Sequence, residues 1–166
     1  MQLSEHFTLQ EGTDSSTAQR LGIDNTPPAE IIEHMKISAA GAEQVRAILG
    51  FPMHIDSWYR CEALEKALTE KDYVRWCNAH GHPVNADSWK EYFARKAHPQ
   101  GFAIDFLCPQ FGNPEAIVKK LKSSGIKFDQ LLMEGTWVHI SFAPAMRGIV
   151  ELVTFTNGTP SYKVVS

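Results

Sequence analysis

The stretch that decides the fold covers positions 96–106 and reads Lys96-Ala97-His98-Pro99-Gln100-Gly101-Phe102-Ala103-Ile104-Asp105-Phe106. It opens with a histidine on a glycine-containing turn and continues as an apolar strand, which we predict over Phe102–Leu107. Asp105 interrupts the apolar run between Ile104 and Phe106, so its carboxylate is predicted to lie beside the core. Because burying an unpaired charge is costly, this carboxylate needs a partner, and a metal ion is one such partner.

A second segment supplies another histidine on a predicted strand and reads Glu134-Gly135-Thr136-Trp137-Val138-His139-Ile140-Ser141. Strand alternation puts Trp137, His139 and Ser141 on one face, so His139 meets Asp105 if the two strands are neighbours. Together with His98, these residues offer two imidazoles and one carboxylate. That set matches the ligands of a catalytic zinc site, in which the fourth position stays open for water.

Water bound to zinc has a pKa of about 7 and must lose a proton before it attacks a carbonyl carbon. Such a site therefore needs a proton acceptor. Glu134 is the nearest carboxylate in the sequence, and we predict it to be the general base. Each metal-ligand candidate also has a structural alternative. Taken singly, His98 is typical of a surface loop, His139 of a hydrogen-bonded sheet histidine, and Asp105 of a turn or cap.

The composition is that of an ordinary globular chain of 166 residues, of which 43% are apolar and 21% charged. These values exclude collagen-like, disordered and coiled-coil classes. A formal net charge of −3 gives no electrostatic footprint for nucleic acid, which needs clustered lysine and arginine. We therefore expect no nucleic-acid partner, and we expect a monomer.

The beginning of the chain lacks a basic region followed by an apolar run, and no stretch approaches the ~20 apolar residues that span a bilayer. Cys61, Cys77 and Cys108 are an odd number without redox spacing, so a disulfide framework is not expected. These features predict synthesis in the cytoplasm without a signal peptide, and no membrane partner.

Apolar periodicity predicts an α+β fold, with an antiparallel sheet packed against helices in a single domain over residues 1–166. The main core helix should open after Thr26-Pro27-Pro28 and end at Gly50. Further helices are predicted at Cys61–Leu68, Tyr73–His80, Trp89–Arg95 and Pro114–Ser124. Strands are predicted at Met53–Ile55, Phe102–Leu107, Gln130–Met133, Trp137–Phe142 and Ile149–Phe155, followed by a fraying tail after Asn157.

The pattern His-x-x-Gly-x-Ala-x-Asp followed by Trp-x-His-x-Ser resembles the zinc D-alanyl-D-alanine carboxypeptidase family. That family includes vancomycin-resistance dipeptidases and phage endolysins that cut peptidoglycan stem peptides. The resemblance covers about residues 4–60 and 97–145. Segments similar to its phage and prophage branch are Glu5-His6-Phe7-Thr8-Leu9-Gln10-Glu11, the run from Thr17 to Pro28, Ser57-Trp58-Tyr59-Arg60 and Phe128-Asp129-Gln130-Leu131.

The resemblance implies one zinc ion held by His98, Asp105 and His139, and it places the substrate-binding arginine at Arg60. A guanidinium fork matches a terminal carboxylate, although a surface ion pair is the alternative for this residue. The implied activity is zinc-dependent hydrolysis of amide bonds in peptidoglycan stem peptides, as a carboxypeptidase or an endopeptidase. The protein would act on the cell wall after release or as part of a virion. The alternative function is a non-catalytic zinc-containing cell-wall-binding or virion structural module.

Several positions depart from the family pattern. Lys96 stands where the family often has serine, and Trp58 stands where glycine is common, so both are expected to narrow or reshape the cleft. Better-known members place the catalytic carboxylate three residues before the last histidine, where this chain has Thr136. Glu134 lies five residues before that histidine and has the same strand parity. A backbone bulge at Gly135 would be compatible with a role for Glu134 as the general base.

Residues 69–97 replace a usually short connection, and we interpret them as a helical insertion beside the metal that acts as a lid or specificity wall. Cys77, His80 and His82 have spacing compatible with a second metal, and the alternative is that they are ordinary helix-end and loop residues. The insertion also carries aromatic residues that we assign to a small core, with glycan stacking as the alternative: Trp76, Trp89, Tyr92 and Phe93.

Overall fold

The computed structural model describes residues 1–156 and 159–164. Its helices are α1 (Leu9–Thr13), α2 (Ser16–Leu21), α3 (Ala29–Leu49), α4 (Glu62–His80), α5 (Ala86–Ala94) and α6 (Pro114–Ser123). Its strands are β1 (His54–Ser57), β2 (Ala103–Leu107), β3 (Gln130–Glu134), β4 (Trp137–Ser141), β5 (Ile149–Thr156) and β6 (Thr159–Val164). The predicted α+β class is confirmed.

The strands form one sheet in the order β1-β2-β4-β3-β5-β6. Neighbouring strands are antiparallel except β3 and β5, which are parallel. Strand β5 does not add to the sheet beside β4. It lies on the other side of the β3–β4 hairpin, next to β3, and is parallel to β3. The predicted antiparallel sheet is therefore correct apart from this one pair.

Helix α3 covers one face of the sheet and begins after Pro28, as predicted. It ends at Gly50, whose left-handed backbone (φ 74°) caps the last turn. Gly41 permits close packing, because a Cβ at this position would lie 2.4 Å from the Phe142 ring. The buried residues that α3 contributes to the main core are Met35, Ala39, Ala42, Val45 and Leu49.

Helix α4 corrects the prediction of two separate helices at Cys61–Leu68 and Tyr73–His80, because it runs unbroken through both. The polar residues at 69–72 contain no glycine or proline, so nothing in them stops a helix. The Thr69 hydroxyl is satisfied within the helix by donating to the Glu65 carbonyl at 2.8 Å. The segment 69–97 thus begins in the middle of a helix.

Helices α4 and α5 pack against each other as a helical hairpin with its own core. Tyr73 and Trp89 meet edge to face, with ring centroids 5.1 Å apart. Trp89 and Tyr92 are buried, and Trp76 and Phe93 pack against them, so the predicted small aromatic core is confirmed. This core is separate from the one between the sheet and α3.

The fraying tail predicted after Asn157 is wrong for residues 159–164, which form β6 and pair with β5 from Glu151↔Val164 to Thr156↔Thr159. An edge strand tolerates the proline at position 160, since one side of its backbone needs no partner. Positions 157, 158, 165 and 166 lie outside the described residues. None of the described helices combines the length and the apolar character that crossing a membrane requires.

Candidate metal centre

Three predicted ligands converge in the structure: His98, Asp105 and His139 are buried, and their ligand atoms all lie within 4.8 Å of one another. Asp105 Oδ1 lies 3.2 Å from His98 Nε2 and 2.8 Å from His139 Nδ1. Among residues 1–156 and 159–164, no other group of three or more histidine, cysteine or acidic side chains meets the geometry of a metal site.

Strand register produces this convergence. Asp105 on β2 pairs directly with His139 on β4, so both side chains leave the sheet on the same face, as the alternation predicted. Ser57 on β1 joins the same row opposite Asp105, because an irregularity between Ile55 and Ser57 shifts the register by one residue. His98 comes from the turn before β2, in which Gly101 adopts a left-handed backbone (φ 75°).

Hydrogen bonding fixes the orientation of the His98 ring. Nδ1 lies 2.6 Å from the Trp58 carbonyl oxygen, which only accepts, so Nδ1 carries a proton and Nε2 faces Asp105. Trp58 is itself held, because its indole N–H donates to Ser38 Oγ at 3.0 Å. Trp58 is 1% exposed and does not line the cleft, so the expectation that it narrows or reshapes the cleft is wrong.

The donor set fits a divalent metal ion. Around a tetrahedral ion with bonds of about 2.0–2.1 Å, ligand atoms lie about 3.3 Å apart, and the two nitrogen–oxygen distances here are 3.2 and 2.8 Å. Burial raises the pKa of Asp105, but the charge of His98 and hydrogen bonds from His139 and His98 hold that pKa well below its usual range. Asp105 is therefore an anionic donor facing two imidazole nitrogens.

The cluster lies in a cleft of about 640 Å³. Gln130, Leu132 and Glu134 of β3 form one wall, and α4 contributes Glu65, Leu68, Thr69 and Asp72 to the other. Lys96 also lines the cleft, as expected from its position two residues before His98, and its Nζ lies 4.2 Å from the centre of the Tyr92 ring. The three ligand residues thus line an open cleft.

Glu134, the predicted base, lies at the end of β3 and lines the same cleft as the histidines. It pairs with Trp137, whose indole N–H donates to Glu134 Oε2 at 3.1 Å. Burial lowers the pKa of His139, but the hydrogen bond that His139 donates to Asp105 and the charges of Asp105 and Glu134 raise it. Thr136, the family position for the base, is exposed in the turn.

Arg60 contacts the ligand carboxylate directly. Its Nη2 donates to Asp105 Oδ2 at 2.6 Å, and its Nε donates to Ser57 Oγ at 2.8 Å. Its Nη1 lies 3.6 Å from Glu65 Oε2. Since the Arg60 side chain is only 16% exposed, the surface ion pair considered from the sequence does not describe it. The arginine lies in the cleft, on the side of Asp105 away from the histidines.

Asn25 is a site-supporting residue that the sequence did not reveal. Its buried side-chain amide donates to the carbonyl of Tyr59 at 3.1 Å and accepts from the N–H of Cys61 at 2.8 Å. It therefore holds both neighbours of Arg60 and fixes the loop that carries the guanidinium. In the sequence Asn25 is a polar residue before a helix-opening proline pair, and nothing local indicates contacts more than 30 positions away.

The second candidate cluster does not come together. Cys77 is fully buried in the hairpin, where its Sγ lies 3.8 Å from the Pro83 carbonyl oxygen. His80 and His82 instead pack on Trp76, with ring centroids 5.1 and 4.8 Å away. The alternative stated above, that these are helix-end and loop residues, describes them correctly.

No family model, curated protein or solved structure matches the chain. The geometry of this site and the residue pattern around it are therefore what indicates a function.

Proposed function

We propose that the protein is a zinc-dependent hydrolase of amide bonds in peptidoglycan stem peptides. The observation that carries the proposal is the buried cluster of His98, Asp105 and His139 at the base of an open cleft. Two imidazoles and one carboxylate are the ligands of catalytic zinc peptidase sites, which leave a coordination position open. When bound, the ion would supply Lewis-acid chemistry, polarising a carbonyl oxygen and making water more acidic.

Glu134 is the residue that we assign to proton transfer. It takes a proton from the attacking water and returns it to the leaving amine, a role that requires a carboxylate beside the reacting atoms. Support comes from its place on the cleft wall and from the Trp137 N–H that holds one of its two oxygens. Within the described residues the other oxygen, Oε1, has no hydrogen-bond partner, so it is available to water.

Arg60 is the residue that we assign to binding a substrate carboxylate. A guanidinium carries five N–H donors, and those directed at Ser57 and Asp105 use only part of this set. Its Nη1 is 3.6 Å from Glu65 Oε2, beyond good hydrogen-bond distance, and Arg60 lines the cleft. A terminal D-alanine carboxylate, or the α-carboxylate of D-glutamate within a stem peptide, fits this donor.

The peptidoglycan substrate follows from the resemblance of residues 96–106 and 134–141 to the zinc D-alanyl-D-alanine carboxypeptidase family. Two observations favour a second candidate, a non-catalytic zinc-containing cell-wall-binding or virion module. Thr136 stands at the family position of the base and is exposed, and Arg60 is already engaged by Asp105. In that case zinc binds but no bond is cut.

Purified sacculi separate the two candidates. The zinc-loaded protein is incubated with sacculi, and turbidity and the masses of soluble products are followed, with Glu134→Gln as the matched control. We expect the unmutated protein to release either free D-alanine, which identifies a carboxypeptidase, or new amino termini within the stem, which identify an endopeptidase. Binding to sacculi without any product would support the non-catalytic module. A protein that holds no zinc would contradict both.

A further inference from the structure

Glu65 is a buried carboxylate that neither the sequence pattern nor the proposed reaction assigns. It lies in the first turn of α4, is 1% exposed, and lines the cleft. Its Oε2 is buried and has no hydrogen-bond partner among the described residues. An unsatisfied buried carboxylate is costly to the folded state, so its presence requires an explanation other than packing.

The charges around Glu65 supply that explanation. Arg60 lies between two carboxylates, with Nη2 at 2.6 Å from Asp105 Oδ2 and Nη1 at 3.6 Å from Glu65 Oε2. Without Glu65, the full positive charge of Arg60 would act on Asp105 alone. It would then compete with a metal ion for the electron density of that carboxylate, and it would repel the ion beside the buried side chains of the cluster.

We propose that Glu65 is a positioning residue for the metal centre, which compensates the charge of Arg60 and thereby keeps Asp105 a strong metal ligand. This inference rests on the proposed function to the extent that the cluster binds zinc. Groups that hold a ligand from behind commonly change metal affinity 10- to 100-fold when they are replaced. Glu65 acts on Asp105 through Arg60, so we expect its replacement to change zinc affinity within the same range.

A role in packing alone gives a different expectation. If Glu65 only filled space beside α4, the isosteric Glu65→Gln would leave zinc binding unchanged. It would also preserve or increase stability, since it removes a buried charge. Charge compensation instead predicts weaker zinc binding with no loss of stability. The two properties therefore move separately, and measuring both distinguishes the roles.

The experiment measures zinc affinity of the full chain by competition with a chromogenic chelator, together with urea unfolding of the metal-free protein. We expect Glu65→Gln to bind zinc about 10- to 100-fold more weakly, at an unfolding midpoint no lower than that of the unmutated protein. The control is Glu62→Gln on the same helix, where the carboxylate accepts from the Trp89 N–H at 2.7 Å and does not line the cleft. Its zinc affinity should be unchanged.

A double variant, Arg60→Met with Glu65→Gln, removes both charges and should bind zinc to within about threefold of the unmutated protein, because the net charge beside Asp105 is restored. If Glu65→Gln alone fails to fold, the zinc affinity of the double variant is compared directly with that of the unmutated protein. Zinc binding by Glu65→Gln equal to that of the unmutated protein would overturn the inference and leave the proposed function intact. A double variant as weak as Glu65→Gln would overturn charge compensation. An unmutated protein without zinc would refute both proposals, and it is recognised before any variant is made.

Discussion

The sheet with the turn before β2, and the helical hairpin, each supply two histidines and one further side chain able to bind a metal, but only the first set converges. On the sheet, His98 and His139 face the same oxygen of Asp105 at 3.2 and 2.8 Å. In the hairpin, Cys77 points into the core while His80 and His82 pack on an indole outside it. Ligand-type residues close in sequence are thus not sufficient for a metal site.

The difference arises from how each position is fixed. His98, Asp105 and His139 come from a turn and two strands, and a hydrogen bond to Trp58 and the β2–β4 register orient them independently. In the hairpin the three residues follow one another across a single helix end, so the helix geometry itself sends them in different directions. A metal site is indicated when ligand side chains from separate segments converge and each is oriented by its own supporting contacts. Suitable spacing along the sequence does not by itself indicate one.

The largest expected effect breaks the sheet cluster. His139→Ala removes one of three protein ligands, and we expect it to lower zinc affinity by more than about 100-fold, beyond the usual effect of losing a supporting group. His98→Ala should behave in the same way. Zinc content after dialysis, measured by atomic absorption, tests this: about one equivalent in the unmutated protein and none in either variant. Retention of zinc by both variants would place the metal elsewhere.

The sequence predicted this cluster because its evidence is local. Alternation along β4 gives the face of His139, the interruption of an apolar run marks Asp105, and the pairing of β2 with β4 had to be assumed. The parallel pairing of β3 with β5 and the presence of β6 depend on long-range contacts that alternation does not encode. For the same reason the roles of Asn25 and Glu65 were missed, since each acts on residues distant from it in the chain or through another side chain.

The second helix was mispredicted for a different reason. The run at 69–72 is polar and carries no apolar periodicity, yet it contains no glycine or proline and the Thr69 hydroxyl is satisfied within the helix. Trp58 was expected to narrow or reshape the cleft because it stands where glycine is common in the resembled family. Trp58 is instead buried behind His98, with its carbonyl oxygen on His98 Nδ1 and its indole N–H on Ser38.

The next effect concerns chemistry on the sheet face. Glu134→Gln should keep zinc and fold but lower turnover on the order of 10²-fold, the range for a positioned general base. The measurement is product release from sacculi at saturating zinc. The matched control is Asp129→Asn, a second carboxylate next to β3 that is buried outside the cleft, and its turnover per folded molecule should be unchanged. Full activity of Glu134→Gln with zinc bound would mean that another group is the base.

A smaller effect tests a sheet carboxylate that has a protein partner instead of a metal. Asp129 accepts from the Arg147 side chain at 2.8 and 2.6 Å and from its backbone N–H at 3.1 Å. Because the Arg147 side chain is 50% exposed, Arg147→Ala should lower the free energy of unfolding by only about 1–2 kcal/mol at pH 7. Zinc content should stay at one equivalent. Urea unfolding of metal-free protein supplies the measurement.

The same pair has a predictable pH dependence. Hydrogen bonds from Arg147 lower the pKa of Asp129, although burial opposes them. A carboxylate with a lower pKa in the folded state stabilises the protein above its unfolded pKa of about 3.9, and the stabilisation is lost as the pH falls through the folded value. The difference between unmutated and Arg147→Ala protein should therefore shrink below about pH 4. A constant difference from pH 7 to pH 3 would show that the pair is not responsible.

The smallest expected effect concerns the hairpin, and it tests whether the second cluster binds any metal. His80→Ala combined with His82→Ala removes both imidazoles of the second cluster, yet we expect zinc content to remain at one equivalent because Cys77 is buried away from them. His80 is exposed and His82 lies at the surface of Trp76, so the free energy of unfolding should change by less than about 1 kcal/mol. Atomic absorption and urea unfolding measure the two quantities on the same samples. A fall from two equivalents to one would mean that the hairpin binds a metal after all, and that the side chains of residues 77–82 rearrange to bind it. An unchanged single equivalent, beside complete loss in His139→Ala, would assign the metal to the sheet alone.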